Sequence, residues 1–284
     1  MTPLAFLASK KSYSPKQFAY LRIALGGYLA YYFYRMLPYA TEVYGSGGAV
    51  PSIHLNWTDG YFPNILALSS SPNAILAVHL CAIALSLMVL VGFQRRGASL
   101  GVWYLWACLF NRNVLTGDPS LPFIGWLLLA FVLIPSGEPL SLFSRKPERE
   151  WYMPALVYWG AWMVLATAYT VSGIDRLRSV TWRDGLAMKY LLQLPIARTW
   201  VGTYLQTLPT VVFKIQSWLA VGTFVFALPA SLFKQTRPFI WVLLTGAFVF
   251  AFLVLDLNQV LFGVFLFHAF LFDVAWVKKT KAPG

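Results

Sequence analysis

The sequence is poor in charged residues, cysteine and histidine, and each shortage excludes a class of protein. Only 11% of the 284 residues are charged, whereas a soluble globular domain carries about 25%, so an ordinary soluble enzyme is excluded. Cys81 and Cys108 both lie in apolar stretches without a CxxC spacing, which is typical of packing cysteines rather than a disulfide or metal pair. His54, His79 and His268 share no metal-ligand spacing, so no metal site is expected.

The signatures of the common enzyme families are missing as well. The chain has no P-loop, no HExxH, no GxSxG, and no GxGxxG in the context that dinucleotide binding requires. Its formal charge of +12 is not gathered into a long basic run or an aromatic-basic RNA motif, so nucleic acid is not an expected partner. The N-terminal MTPLAFLASKK places its apolar stretch before its lysines, which is the reverse of a signal peptide.

Apolar runs of helix length are what the chain has in abundance, since 58% of its residues are hydrophobic and 17% are aromatic. A helix needs about 20 mostly apolar residues to cross the hydrocarbon core of a bilayer. The sequence therefore predicts an all-α polytopic membrane protein, a single domain over 1–284 with a bundle of about eight transmembrane helices. The predicted spans are Gln17–Pro38, Asn73–Phe93, Ala98–Leu115, Ser120–Leu140, Tyr152–Gly173, Thr210–Phe233, Phe239–Leu255 and Val260–Val277.

Basic residues cluster in every second connection, as the positive-inside rule requires of cytoplasmic loops. The clusters are Lys10, Lys11 and Lys16, then Arg95 and Arg96, then Arg145, Lys146 and Arg149, then Lys234 and Arg237, then Lys278, Lys279 and Lys281. Both termini are therefore expected in the cytoplasm, and an integral protein of a bacterial inner membrane fits this pattern. The two long loops 39–72 and 175–209 are then expected to face outward.

One outer segment, Tyr169–Leu194, breaks the charge rule. It carries Asp175, Arg176, Arg178, Arg183, Asp184 and Lys189. The positive-inside rule does not explain cations on the translocated side, so a ligand could be the reason for them. The planar guanidinium of arginine forms paired hydrogen bonds with a carboxylate, phosphate or bicarbonate group. The segment therefore predicts an outward-facing site for an anion or lipid headgroup, with a salt-bridged loop anchored at the interface as the alternative. Thr181 and Asp184 have the spacing of a capping box, which predicts a short helix over Trp182–Gln193.

Several further residues are candidates for this site or for pairing within the bundle. Arg112 ends the third span and is either a second arm of the site, paired with Asp118 or Asp175, or an interfacial side chain that snorkels. Arg22 lies deeper in the first span than Arg35 and is expected to have a structural partner. Asp175 is the candidate catalytic base, provided that burial makes its carboxylate basic. The candidate ligand-binding residues are Arg112, Asp175, Arg176, Trp182, Arg183 and Lys189.

Four motifs resemble a known family. They are LRIALGG at Leu21–Gly27, NRN at Asn111–Asn113, PSGEPLS at Pro135–Ser141 and SGIDRLRSVTWRDGLAM at Ser172–Met188. Together they resemble the HTTM family, the horizontally transferred transmembrane domains related to the membrane part of vitamin K-dependent gamma-carboxylase. The resemblance implies a bundle of about eight spans with its site on the extracytoplasmic side.

The chain departs from the carboxylase pattern where that family performs its chemistry. The family's lysine base corresponds to Arg176, and arginine does not deprotonate in proteins. The family's histidine is absent from Thr116–Leu121, and the large lumenal domain is missing. The resemblance therefore implies a shared scaffold rather than protein glutamate carboxylation.

Three functions stay open at this point. The first is an outward-facing site for a quinone, a lipid or another amphiphile, with or without chemistry, in which a quinone would be the cofactor. The second is a non-enzymatic membrane partner or maturation factor for an exported protein, since the lysine and histidine are lost together. The third is a transporter, which only the prolines of the fourth span, Pro122 and Pro135, indicate.

Overall fold

The computed structural model of this chain describes residues 10–50, 56, 59–142 and 151–277, with the side chains of 258–260 left aside. The chain is mostly helical, so the all-α prediction is confirmed. His54, Trp57 and the basic clusters at 145–149 and 278–281 lie outside the described residues.

The described residues form a succession of α-helices along the chain. They are α1 (Pro15–Met36), α2 (Ala40–Tyr44), α3 (Ile65–Leu68), α4 (Pro72–Val91), α5 (Arg95–Arg112), α6 (Leu121–Leu133), α7 (Ala155–Arg178), α8 (Val180–Arg183), α9 (Ala187–Leu191), α10 (Thr199–Leu205), α11 (Thr210–Val225), α12 (Ala227–Leu232), α13 (Arg237–Val254) and α14 (Asn258–Leu271). Short 3-10 turns cover Leu37–Tyr39, Val114–Thr116 and Val274–Trp276. Two strands, β1 (Lys10–Lys11) and β2 (Met153–Pro154), pair antiparallel.

A helix lies at each position where the sequence predicts a span, but fewer of them meet the requirements for crossing a membrane. Among the described residues, α4, α7 and α13 are long and apolar enough to cross. A fourth span results if α10 and α11, which meet at an angle of 114°, are taken together. Helix α6 and residues Leu261–Leu271 are apolar but shorter. The chain therefore has three or four candidate spans, and the count of eight stays a prediction.

Two predicted spans end early, and proline is the reason in each case. Helix α6 stops at Leu133, because Ile134 precedes Pro135 and takes an extended conformation. The predicted span 210–233 breaks between α11 and α12, where Pro229 has no N–H to donate to the Val225 carbonyl. The Thr170 hydroxyl lies 3.4 Å from that carbonyl oxygen and 3.3 Å from that of Phe224, so its single proton is shared between the two.

The chain divides into two compact units, 1–157 and 158–284. In the first unit α1 packs closely on α4, and Gly26 lies where the two backbones approach each other. A Cβ atom at Gly26 would lie only 2.4 Å from the backbone nitrogen of Leu90, so no other residue fits there without moving a helix. The single-domain organisation stays a prediction.

A buried charge cluster in the first unit connects α1 with the ends of α4, α5 and α6. Arg22 of α1 and Arg95 of α5 place their Nε atoms 3.4 Å and 2.9 Å from Glu138 Oε1. Arg22 also donates to the carbonyls of Val89, Leu90 and Leu140, and Arg95 to those of Phe131, Ile134 and Pro135. The prediction that Arg22 has a structural partner is confirmed. Arg95, expected in a cytoplasmic loop, is buried instead.

The three candidate spans leave much of their apolar surface uncovered. Fewer than half of the residues in each span are buried within the chain, and large side chains such as Phe239, Val242 and Leu253 of α13 are exposed. A helix that is apolar on its outward face suits lipid rather than water. The described structure therefore fits association with a membrane.

Candidate functional site

The charged segment begins inside α7 rather than after it. The sequence predicts that the fifth span ends at Gly173, but α7 continues to Arg178. Gly173 serves a close approach instead, since a Cβ atom there would lie 2.6 Å from the backbone nitrogen of Val225 in α11. Asp175 and Arg176 therefore lie on a continuous helix that is packed tightly against α11.

Asp175 lies at the surface, where it pairs with Arg178 one turn further along the helix. The carboxylate Oδ1 is 3.1 Å from the guanidinium Nη1, and the two side chains are 62% and 78% exposed. An exposed pair of this kind contributes about 0–1 kcal/mol. The burial on which its role as a base depends is absent, so the geometry gives that role no support.

Arg176 is held between two aromatic rings. Its guanidinium carbon lies 4.5 Å from the ring centre of Phe224 and 4.8 Å from that of Trp182. The same group donates to the carbonyl and the hydroxyl of Ser172. Cation–π contacts contribute about 0.5–1 kcal/mol at exposed sites and more when desolvated. Arg176 and Trp182 therefore act together to fasten α8 onto α7 and α11.

The predicted helix over Trp182–Gln193 is wrong, because the segment forms the two short helices α8 and α9. They are separated by Gly185, whose φ of 74° lies in the left-handed region. A Cβ atom at Gly185 would lie 2.8 Å from Trp218 Nε1 and 2.9 Å from the Lys214 Cα. The capping box does not form either, since Thr181 lies within α8 and no side chain caps that helix.

Within the described residues, Arg183 and Lys189 are the two cations of the segment that neither pair with a carboxylate nor rest on an aromatic ring. Arg183 is exposed at the end of α8, and Lys189 is half-buried in α9. Within the part of the chain that the structure describes, neither residue takes part in an ion pair. These two positive charges are therefore available to a ligand.

An apolar groove runs between α11 and α13 in the same unit and has a volume of about 370 Å³. Its lining includes Met188, Gln216, Thr223, Gly246, Ala247 and Phe250. Gly246 keeps the groove open, because no atom lies within 4 Å of the position of its missing Cβ. The backbone N–H of Met188 donates to Ser217 Oγ at 3.2 Å. This bond holds α9, with Lys189 next in sequence, against the groove-forming helix α11.

Arg112 belongs to the first unit, whereas the other five candidate residues belong to the second. It is buried and donates to the carbonyls of Val50 at 2.7 Å and Gly45 at 3.0 Å. The expected carboxylate partners are otherwise engaged, since Asp118 accepts from the N–H of Ser120 and Asp175 pairs with Arg178. Arg112 therefore fastens the start of the outer loop, and the idea that it snorkels at the interface is wrong.

Two polar clusters were missed by sequence reasoning. One is the pairing of Arg95 with Glu138. The sequence feature that could have revealed it is the single carboxylate of Glu138 between two apolar runs, because a charged residue is seldom buried without a partner. The other surrounds the buried His268, whose Nε2 lies 2.9 Å from Tyr169 Oη and whose Nδ1 lies 2.9 Å from Thr245 Oγ1. No spacing in the sequence indicates the second cluster, because its members come from three separate helices.

Comparison with known proteins adds no relative. No family model, no curated protein and no solved structure matches this chain. The resemblance to the HTTM family therefore stays a prediction, and the function is argued from the site alone.

Proposed function

We propose that this chain is an integral membrane protein that binds an anionic amphiphile, a lipid with a negatively charged headgroup, at its extracytoplasmic surface. The observation that carries this proposal is the apolar groove between α11 and α13, with Met188 in its lining and Lys189 next in sequence. Arg183 supplies a second cation without a counter-charge in the same outer segment. A hydrocarbon chain fits the groove, and the headgroup meets the cations.

Electrostatics, rather than the groove, decides which lipid binds. Lipid tails are as apolar as the groove, so an acyl chain gains shape complementarity but little hydrophobic free energy on entering it. Each Lys or Arg near an anionic lipid surface contributes about 1 kcal/mol. Two such cations contribute about 2 kcal/mol, which corresponds to a preference of roughly thirtyfold for an anionic over a zwitterionic lipid.

The same proposal includes the full topology. We infer a bundle of eight spans of the HTTM type in a bacterial inner membrane, with both termini in the cytoplasm. The alternating basic clusters support this arrangement. In a variant without Cys81 and Cys108, a membrane-impermeant maleimide added to intact spheroplasts is expected to label Thr207→Cys but not Ser12→Cys. The opposite labelling would invert the orientation.

Native mass spectrometry after extraction from mixed-lipid nanodiscs tests the binding site. Gly246→Leu fills the groove and is expected to remove the bound lipid. Gly222→Leu is the matched control, because its missing Cβ also has no atom within 4 Å and it does not line the groove. Equal lipid retention by the two variants would exclude the groove as the site.

The headgroup preference is tested separately on the cations. Replacing Arg183 and Lys189 with Gln is expected to lower the preference for phosphatidylglycerol over phosphatidylcholine by roughly thirtyfold. Arg178→Gln removes a charge that is already paired with Asp175 and is expected to change the preference little. A quinone is the alternative occupant. If the protein retains a quinone, and replacing Arg183 and Lys189 leaves this retention unchanged, the groove binds a quinone rather than an anionic lipid.

A further inference from the structure

The groove between α11 and α13 carries two polar side chains that have no role in the function proposed above. Among the described residues that line it, Gln216 and Thr223 are polar, and the others are apolar or glycine. Gln216 is half-buried and lines the groove, so its amide is accessible to a bound molecule. Within the part of the chain that the structure describes, neither side chain takes part in a hydrogen bond.

Gln216 needs a partner more than Thr223 does. A threonine hydroxyl in a helix can turn to donate to the backbone carbonyl four residues earlier. The glutamine amide carries two N–H donors and an oxygen acceptor, so a single local bond would not satisfy it. A polar group without a hydrogen bond is costly in apolar surroundings. A ligand that brings an oxygen acceptor to the Gln216 Nε2 is therefore stabilised in this groove.

Gln216 lies at the level where a lipid headgroup meets the groove. The Met188 N–H donates to Ser217 Oγ at 3.2 Å, and Lys189 and Gln216 are the sequence neighbours of these two residues. Gln216 also lies about 9 Å along the helix axis from Thr210, where α11 begins. The polar layer on each side of a bilayer is about 5–8 Å thick. The Gln216 amide therefore meets the boundary between headgroups and hydrocarbon, where the ester carbonyls of a diacyl phospholipid follow the phosphate by a few bonds.

We propose that the Gln216 Nε2 donates a hydrogen bond to an ester carbonyl of the bound lipid. The ligand of the function proposed above, on which this inference rests, is then an anionic lipid with ester-linked acyl chains. An ether-linked lipid with the same headgroup keeps the phosphate and both chains but lacks the carbonyl. It loses the bond to Gln216 and keeps the attraction to Arg183 and Lys189. Headgroup charge and chain linkage are therefore recognised by different residues of one site.

Native mass spectrometry of the full chain, released from nanodiscs with equal amounts of ester-linked and ether-linked phosphatidylglycerol of equal chain length, tests the proposal. The wild type is expected to retain the ester form about threefold to tenfold more, which is the effect of one net hydrogen bond. Gln216→Met keeps an unbranched side chain but removes both donors. This variant is expected to retain the two lipids equally and to keep its preference for phosphatidylglycerol over phosphatidylcholine. Gln193→Met is the matched control, because Gln193 is exposed and does not line the groove.

Two results would overturn this role of Gln216 and leave the anionic-lipid function standing. One is equal retention of the ester and ether lipids by a wild type that still prefers phosphatidylglycerol over phosphatidylcholine. The other is a wild-type dimer that Gln216→Met converts to a monomer, because glutamine also forms hydrogen bonds between helices in membranes and the amide would then be occupied by a second copy. A wild type that retains neither form of phosphatidylglycerol would instead refute the proposed function itself, and this inference with it.

Discussion

The substitution Glu138→Gln removes the counter-charge of two buried arginines while keeping the shape of the side chain. Glu138 is 2% exposed, and the Arg22 and Arg95 side chains that it pairs with are 0% and 1% exposed. Solvent therefore does not screen the cluster. We expect the variant to fold less stably, because both guanidinium groups stay buried without an anion.

The magnitude follows from the cost of leaving a buried charge without its partner. Breaking a buried ion pair by removing one member costs about 3–5 kcal/mol. A loss of about 4 kcal/mol changes the equilibrium constant for unfolding by roughly a thousandfold. The change is large against the whole stability of a typical domain, which is about 5–15 kcal/mol.

Replacing all three residues of this cluster with Met is not expected to restore stability. A buried ion pair can often be exchanged for apolar residues at no cost. Here, however, Arg22 and Arg95 donate to six backbone carbonyls at and beyond the ends of α4 and α6. The last carbonyls of a helix have no partner within the helix. The Val89 and Pro135 carbonyls would keep a second donor, the Gly92 N–H and Trp151 Nε1. Each carbonyl that is left without a donor costs about 1–3 kcal/mol.

Reversible unfolding in mixed micelles, by titration with sodium dodecyl sulfate, measures these changes through tryptophan fluorescence. Glu42→Gln removes an exposed acid of the same unit and is expected to change the free energy of unfolding by less than about 0.5 kcal/mol. A Glu138→Gln variant within 1 kcal/mol of that control would refute the reasoning. A triple Met variant as stable as the wild type would show that the carbonyl contacts contribute nothing.

Two further substitutions test the second unit by the same unfolding measurement. Gly185→Ala is expected to destabilise the chain by more than about 1 kcal/mol. The new Cβ would lie 2.8 Å from Trp218 Nε1, and the backbone φ of 74° is unfavourable for alanine. An unchanged stability would mean that α8 and α9 do not pack on α11 as described. His268→Phe leaves the buried Tyr169 hydroxyl and the half-buried Thr245 hydroxyl without their ring-nitrogen partner, so a loss of about 2–4 kcal/mol is expected. A neutral or stabilised variant would count against the described hydrogen bonds.

The helical fold could be predicted from the sequence, because long apolar runs leave few alternatives to a helix in lipid. The ends of the helices were harder to place. Gly173 suggested a terminus, but its missing side chain serves close packing against Val225 inside a longer helix. Pro229 was not recognised as a break, although a proline leaves the carbonyl four residues before it without a helical donor. Sequence alone could not show that the distant Thr170 hydroxyl would meet this carbonyl.

The location of the charged site could be predicted, but the role of each residue in it could not. The excess of cations between 175 and 198 identified the segment without any structural information. Whether a cation is free or engaged depends on distant contacts. Arg176 rests on the ring of Phe224, 48 positions further along the chain, and Arg112 on the carbonyl of Gly45. Arg183 and Lys189 pair with no acidic residue in the part of the chain that the structure describes.

A photoreactive lipid tests the central claim of an anionic-lipid site most directly. Phosphatidylglycerol with a diazirine on its acyl chain is crosslinked to the protein in nanodiscs, and the modified peptides are mapped. Adducts are expected to concentrate in α11 and α13, at groove residues such as Gln216 and Ala247. These adducts are expected to disappear in Gly246→Leu and to persist in Gly222→Leu. Adducts spread evenly over the exposed apolar faces of the spans, and unchanged in Gly246→Leu, would contradict this claim.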